Sequence, residues 1–346
     1  MKHGVSFLPD STPATQSATA YFDGALQVCE LADQVGFDYV KMTEHYLHPY
    51  GAYCPSPLMF LSAVAARTRR IRLMTGGIMA SFHHPVQIAA HAAMLDALSG
   101  GRADIGFARA WLPHEFDLFE LSMDESRERF VDTVEAVVRV WTEEKASADS
   151  RFFQFSDVDL LPRLVQRPHP PVWVAAVQSP ESFTWIAEHG FGLLVTPGLR
   201  GYGALAEMIG LYRDAFPGPN PQVALSLPLV VRPTTGEAVE DADRYLSHYL
   251  DVWTDAATQW DRRSSTDYAR YTGVGHVLRQ ESAAGMRERV AVVAGGPDDV
   301  VDQIHHLRAE LDPDVLLWQI DTGAQGAESG LTSVRLFAEK VQPKLY

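Results

Sequence analysis

The chain holds only two cysteines in 346 residues, Cys29 and Cys54. Two thiols make a poor disulfide framework, so a reducing cytoplasm is expected rather than a cross-linked secreted fold. The N-terminus lacks a basic segment followed by an apolar one, and no signal peptide is expected. No apolar run approaches the ~18–20 residues of a membrane span. Positive charge is sparse as well. Lys and Arg number 29 against 44 Asp and Glu, a formal net charge of −15, which argues against nucleic acid or an anionic membrane as partner. The sequence also has no Walker loop, G-x-S-x-G elbow, C-x-x-C pair, H-E-x-x-H helix or G-x-G-x-x-G fingerprint. Those absences weigh against ATP hydrolysis, serine-hydrolase chemistry, structural zinc and a dinucleotide-binding sheet.

What is present suits a large core, with 46% hydrophobic and 21% charged residues. Strand-like and helix-like segments alternate along its length. Val5–Leu8, the run from Phe37 to His45, Ile71–Ile78, Ala103–Ala108, Val172–Ala176, Gly192–Thr196, Val223–Val231 and Val315–Ile320 read as strands. Between them lie amphipathic stretches with helix punctuation, such as Gly36 after Val35, Pro85 at a first turn, and Ser99-Gly100-Gly101 at an end. Eight strands separated by helices predict an α/β protein, a (β/α)8 TIM barrel formed as one domain over 1–346. Near 261–289 the pattern breaks into polar sequence with charges of both signs, an insertion before the last strand. It reads either as a mobile lid or as a disordered surface loop.

In a parallel α/β protein, chemistry gathers where strands exit. Glu44, His45, Tyr46 and His48 follow the second strand, His83 and His84 the third, Arg109, Trp111 and His114 the fourth. Gln178, Ser179 and Ser182 follow the fifth, at the start of a helix. Hydroxyls and free N–H groups at a helix start can hold a phosphate, and Arg109 can supply the permanent positive charge. Ser179 also reads as an ordinary helix cap, and Arg109 as a surface ion pair. His45 suits a general base or hydrogen-bond donor, since an imidazole titrates near working pH. Gly76-Gly77 marks either a close approach to a flat ligand or a bend in the strand. His84 and His169, each beside proline, read as loop-ordering residues, and His91 as a packed polar group. Trp111, Tyr46, Tyr53, Phe82, Trp185 and Trp253 could line an apolar pocket or belong to the core.

Several segments together carry a resemblance. Gly36-Phe37-Asp38 leads to Glu44-His45, and His84-Pro85-Val86 follows. Leu95-Asp96-Ala97-Leu98-Ser99-Gly100-Gly101-Arg102 precedes Ile105-Gly106-Phe107-Ala108-Arg109, and Pro168-His169-Pro170-Pro171-Val172-Trp173-Val174 comes later. In this order and spacing the chain, from Phe7 to Leu345, resembles the bacterial luciferase-like family of flavin-dependent monooxygenases. The resemblance implies a barrel that binds reduced FMN (FMNH2), supplied by a separate flavin reductase. The bound flavin would react with O2 and, through a flavin C4a-peroxide, hydroxylate a small organic substrate or oxidise it in a Baeyer–Villiger manner. It implies that Arg109 holds the flavin phosphate with Gln178, Ser179 and Ser182, Gln178 standing where the luciferases have an acid. Gly76 and Gly77 fall where that family has a non-proline cis peptide beneath the ring. His45 matches the catalytic histidine, and the segment near 261–289 the mobile lid. Ala108 replaces the luciferases' reactive cysteine, so light emission is not expected. No metal site is expected. Related barrels use the deazaflavin F420 for hydride transfer, and sister subunits bind flavin without turnover, which gives two alternative readings. The family dimerises through helices that here are rich in small residues (Ala63, Ala65, Ala66, Ala89, Ala90, Ala92, Ala93), so a homodimer is expected.

Overall fold

Eight apolar runs become eight parallel strands whose sheet closes on itself. The computed structural model describes residues 1–51, 53–197, 201–263 and 265–345. The strands are β1 (Lys2–Phe7), β2 (Tyr39–Met42), β3 (Arg72–Thr75), β4 (Ala103–Ala108), β5 (Val172–Ala175), β6 (Gly192–Val195), β7 (Val223–Val231) and β8 (Val315–Gln319). Each pairs in parallel with its successor, and β8 returns to β1 with Gly4 opposite Leu317. Strands covered on both faces are apolar throughout rather than alternating, and all nine residues of β7 are buried. One cluster (Tyr39, Met74, Trp173, Leu194, Ala224, Val315, Leu317) packs inside the barrel. A Cβ on Gly4 would come within 2.6 Å of Tyr39 Cβ, so this layer has no room to spare.

The outer helices are α1 (Ala18–Val35), α2 (Pro57–Arg67), α3 (Pro85–Ser99), α4 (Ser126–Thr142), α5 (Pro180–Glu188), α6 (Tyr202–Ala215), α7 (Thr235–Thr258), α8 (Pro297–Leu311) and α9 (Ala327–Leu336). Their ends follow local chemistry. The Ser17 hydroxyl accepts the Ala20 N–H at 3.2 Å to start α1, and Gly36 ends it at a φ of 92° that a side chain would resist. Among the described residues no helix is long and apolar enough to cross a membrane.

Three features depart from expectation. The third strand stops at Thr75 instead of running to Ile78: a cis peptide joins Gly76 to Gly77, and Ile78–Met79 then pairs only with β4. At the break, the Thr75 hydroxyl accepts the Gly106 N–H at 2.7 Å and donates to its carbonyl at 2.8 Å, replacing ladder bonds. An antiparallel hairpin, Ala146–Asp149 with Gln154–Val158, separates α4 from β5. A short strand, Val293–Gly295, adds to the end of β7. The insertion near 261–289 does fall between β7 and β8, but it is folded. It holds a turn at Ala269–Tyr271 and helices Val274–Leu278 and Ala283–Glu288, and Tyr268 is buried. Burial of that side chain corrects the disordered-loop alternative; Ser264, within the segment, lies outside the described residues.

Candidate active site

The strand exits expected to carry chemistry all lie at one end of the barrel, because every strand runs the same way. His45, three residues past β2, is buried, and its Nδ1 lies 3.0 Å from Glu115 Oε1. Glu115 comes from the short helix Pro113–Leu118 after β4 and is fully buried. The same oxygen accepts the Tyr46 N–H at 2.8 Å. A carboxylate on Nδ1 fixes the ring's orientation and leaves Nε2 as the nitrogen available to a ligand. Gly51 closes over this imidazole: a Cβ there would meet His45 Cδ2 at 2.5 Å. Tyr50 packs edge-on against it at 5.1 Å and touches Trp111 at 5.6 Å.

A second carboxylate–imidazole pair stands beside the first. Glu44, also buried, accepts from Tyr46 Oη at 2.7 Å and lies 2.6 Å from His83 Nε2. Burial, reinforced by Glu44, pushes the Tyr46 phenol far above its ordinary range, so it acts as a donor and not as a phenolate. His114 is taken up by the Tyr46 carbonyl (2.9 Å), and His48 by Asp255 (3.1 Å).

The residues expected to hold an anion gather around one that sequence reasoning missed. Arg127, one residue into α4, donates to Ser179 Oγ at 2.9 Å and Ser182 Oγ at 3.3 Å. Ser179 does sit at the start of α5, yet its hydroxyl makes no capping bond and turns to Glu181 instead. Arg109 lies in the same field: burial, followed by repulsion from Arg109, lowers the Arg127 pKa. Asp267 of the insertion reaches this group from the other side of the start of α4. Its Oδ2 accepts the backbone N–H of Arg127 at 3.0 Å and the Ser126 hydroxyl at 3.3 Å, both at the start of α4, and lies 3.8 Å from Arg109 Nη1. Arg109 Nη2 donates to the Asp267 carbonyl at 3.1 Å, and its guanidinium stacks on Tyr268 at 4.2 Å. Among the described residues, buried Arg109 Nη1 and Gln178 Oε1 have no hydrogen-bond partner, while Arg270 holds the Gln178 carbonyl at 2.6 Å.

Gly76 is pressed on the Lys41 side chain, where a Cβ would come within 2.1 Å of Lys41 Cε; a Cβ on Gly77 would meet the Phe107 carbonyl carbon at 2.5 Å, beside Ala108. No hydrogen bond joins His45 to the anion group among the described residues. The link is the end of β4 and the residues just after it, where Ala108, Arg109 and Trp111 lie within four positions.

Other candidates fall elsewhere. Trp185 packs on Phe130 at 5.6 Å in the helical shell and lines no mouth. His91 is exposed rather than packed. His84 caps α3, and His169 folds onto the Pro170 carbonyl at 2.7 Å, both ordering loops as expected. Glu115 and Arg127 left little trace in the sequence, since each stands in a charged helical stretch that reads as surface.

Known proteins share this architecture. The chain is 30% identical over 202 residues to the oxygenase component of flavin-dependent trigonelline monooxygenase from Acinetobacter baylyi, an alignment covering 58% of this chain and 55% of that protein. It thus spans about half the length of that curated relative. The crystal structure of monooxygenase RslO1 from Streptomyces bottropensis superposes with a TM-score of 0.87 at 36% identity, covering 100% of both chains. The oxygenating constituent of 3,6-diketocamphane monooxygenase from Pseudomonas putida, a type II Baeyer–Villiger enzyme solved with FMN, superposes at 0.82 over 100% of this chain and 99% of its own, but at 18% identity that likeness speaks for the fold alone. The family model of luciferase-like monooxygenases matches residues 1–312, and the chain belongs to that family.

Proposed function

We propose that this protein is the oxygenase of a two-component system, accepting FMNH2 from a separate flavin reductase and using O2 to oxygenate a small organic substrate. One observation carries the reading: an anion site built from Arg109, Arg127, Ser179 and Ser182 shares a barrel mouth with a histidine oriented by a buried carboxylate. The residues fit a phosphorylated flavin. Arg109 Nη1 and Gln178 Oε1, without partners among the described residues, offer a donor and an acceptor. Bound reduced FMN would supply the electrons and the activated oxygen.

The protein's share is binding, orientation and exclusion of water. Arg109, Arg127, Ser179, Ser182 and Gln178 would hold the phosphate, the two arginines by charge-assisted bonds. Gly76, Gly77 and Ala108, which carry little or no side chain, would let a flat ring lie close to the backbone. His45, its Nδ1 held by Glu115, would hold or donate a proton at Nε2. The aromatic residues Trp111, Tyr50 and Tyr249 would keep that proton away from bulk water and favour an apolar substrate. The folded insertion would act as a mobile lid over the mouth. The two buried free thiols support a reducing cytoplasm. The exposed Met59, Met94 and Leu98 on α2 and α3 support a homodimer.

Anaerobic titration with FMNH2 and, in parallel, with reduced F420 tests the cofactor. Tight FMNH2 binding with negligible F420 binding supports the reading, and the reverse preference would replace it with hydride transfer. An 18O2 pulse in the presence of substrate then follows. One labelled oxygen atom in the product marks an oxygenase, whereas flavin binding without product marks an accessory subunit.

A further inference from the structure

The interior of the barrel turns polar in the layer nearest the mouth. Tyr39 and Leu317 pack inside the barrel, so Lys41 and Gln319, two residues further along the same strands, also face inward. Ser6 of β1 lies between them, opposite Lys41 on one side and Gln319 on the other. Ser226 of β7 joins the layer through a 3.2 Å hydrogen bond with Ser6 Oγ. Lys41, Ser226 and Gln319 keep 6–7% of their surface exposed, whereas Val40, Leu227 and Trp318 beside them have none. The inward positions meet the mouth, and their neighbours in the wall do not.

Lys41 carries the only charge among these four residues, and nothing of opposite sign is bound to it. Its ammonium donates to two neutral hydroxyls, Ser6 Oγ and Thr43 Oγ1, and no carboxylate among the described residues pairs with it. Asp321, whose field reaches it, is bound instead to the Leu8 N–H and the Tyr21 hydroxyl. A buried ammonium held by hydroxyls alone costs stability, because no opposite charge offsets its lost hydration. With a pKa of about 8, it still keeps its proton at neutral pH. Its stem is the surface on which Gly76 rests. Close by in the same layer, the buried Gln319 Nε2 has no hydrogen-bond partner among the described residues. The layer therefore offers the mouth a cation and a neutral donor, a pattern that complements a ring edge with acceptors and negative charge.

We propose that Lys41 is the counter-charge of the reduced flavin ring, stabilising its anionic form from beneath Gly76, with Gln319 as a second donor. The pyrimidine edge of the ring carries nitrogen and carbonyl acceptors. Oxidised FMN gains two electrons and two protons, the electrons from the reductase, to give FMNH2. Loss of one proton to the medium then leaves FMNH−. A fixed ammonium favours that anion and gives the neutral oxidised ring far less. The phosphate is the same in both forms, so Lys41 sets the preference between redox states rather than affinity as a whole. The proposal rests on the reading of this mouth as a flavin site.

Anaerobic reductive titration of FMN on the protein tests it, with the binding of each redox form followed by absorbance and fluorescence. Lys41→Met should fold, since it removes a buried charge. It should weaken reduced FMN about tenfold, the lower end of a hydrogen bond to a charged group, and leave oxidised FMN nearly unchanged. For a two-electron couple, that tenfold change lowers the midpoint potential by about 30 mV. The absorbance of the reduced complex at neutral pH should also move from the anionic toward the neutral form, which loss of packing alone would not cause. Lys41→Gln keeps a polar chain without the charge and should behave as Lys41→Met does. Equal weakening of both redox forms, an unmoved potential, or a Lys41→Gln protein that matches the unmutated one overturns the proposal. An unmutated protein that binds neither form of FMN removes the flavin reading and this proposal together. One that binds both, with variants that keep its potential, removes the proposal alone.

Discussion

At the scale of single residues, the site depends on charges held out of water. Glu115 has no solvent exposure and uses Oε1 twice, while its Oε2 finds no partner among the described residues. We expect it to act through His45, whose ring it orients. His45→Ala should lower turnover by about 10²–10⁴-fold, the usual share of a positioned acid or base. Glu115→Gln, which keeps an acceptor but removes the charge, should cost less and should shift the pH profile of turnover. An unchanged profile would confine Glu115 to packing. At the anion group, Arg127→Met should weaken FMN about 10–100-fold, the value of a charge-assisted bond, and leave riboflavin binding unaltered; fluorescence titration of both flavins checks it. Lys41 poses a different problem. It is buried and bonded, among the described residues, to Ser6 Oγ (3.3 Å) and Thr43 Oγ1 (3.1 Å), and burial pulls its pKa down to about 8. A depressed pKa means that the folded state resists the charged form, and the penalty is complete below pH 8 and fades as pH rises toward the ordinary value of 10.5. Lys41→Met should stabilise the fold at pH 7 by about 1–3 kcal/mol and by less at pH 10, measured by denaturant unfolding.

At the scale of elements, the motif running from Leu95 to Arg102 proves to be a structural staple. Asp96, at the buried end of α3, accepts the Val165 and Gln166 N–H groups and the Gln166 side chain at 2.7–3.0 Å. Arg102 donates to the carbonyls of Ala65, Thr68, Ile71 and Ser99, tying α2 to α3 beneath the barrel strands. Asp96→Ala would leave three donors unpaired in the interior and should destabilise the fold by about 2–4 kcal/mol without changing FMN affinity in the folded fraction. The eight barrel strands were legible because each is a short apolar run bounded by turn residues, buried on both faces. The hairpin at Ala146–Val158 was not, since its second strand (Gln154-Phe155-Ser156-Asp157-Val158) is largely exposed and shows no apolar face. His45, Arg109 and the Ser179 turn stood out because strand exits focus attention on them. Arg127 and Asp267 did not, because their meaning arises only when a helix start and a distant insertion meet.

At the scale of the whole molecule, two features tie distant parts of the chain together. Asp10 and Asp321 both lie buried in the loops after β1 and β8; Asp10 accepts the Gly323 and Ala324 N–H groups at 2.6 Å, and Asp321 the Leu8 N–H at 3.1 Å and the Tyr21 hydroxyl at 2.8 Å. Burial pushes both carboxyls up to about 7, and their mutual repulsion adds to the rise for Asp321. Raised pKa values mean that the folded chain keeps protons the unfolded chain has lost. Stability from this pair is therefore full below about pH 4 and drains away as pH rises toward 7. Asp321→Asn should flatten that fall, visible as a smaller drop in Tm between pH 5 and pH 8 than in the unmutated protein. The second feature is the outer surface of α2 and α3. The small residues there divide: Ala65, Ala89, Ala92 and Ala93 are buried against the barrel, whereas Ala63 and Ala66 face outward near Met59, Met94 and Leu98, which are 76%, 54% and 56% exposed. Scattered exposed apolar residues need no explanation, but a stripe along two adjacent helices with small residues between them offers a second copy a surface that can approach closely. Light scattering should give twice the chain mass, and Met94→Glu, which puts a charge into the centre of that stripe, should return the protein to a monomer while FMN binding persists. A monomer before mutation would assign the stripe to some other contact.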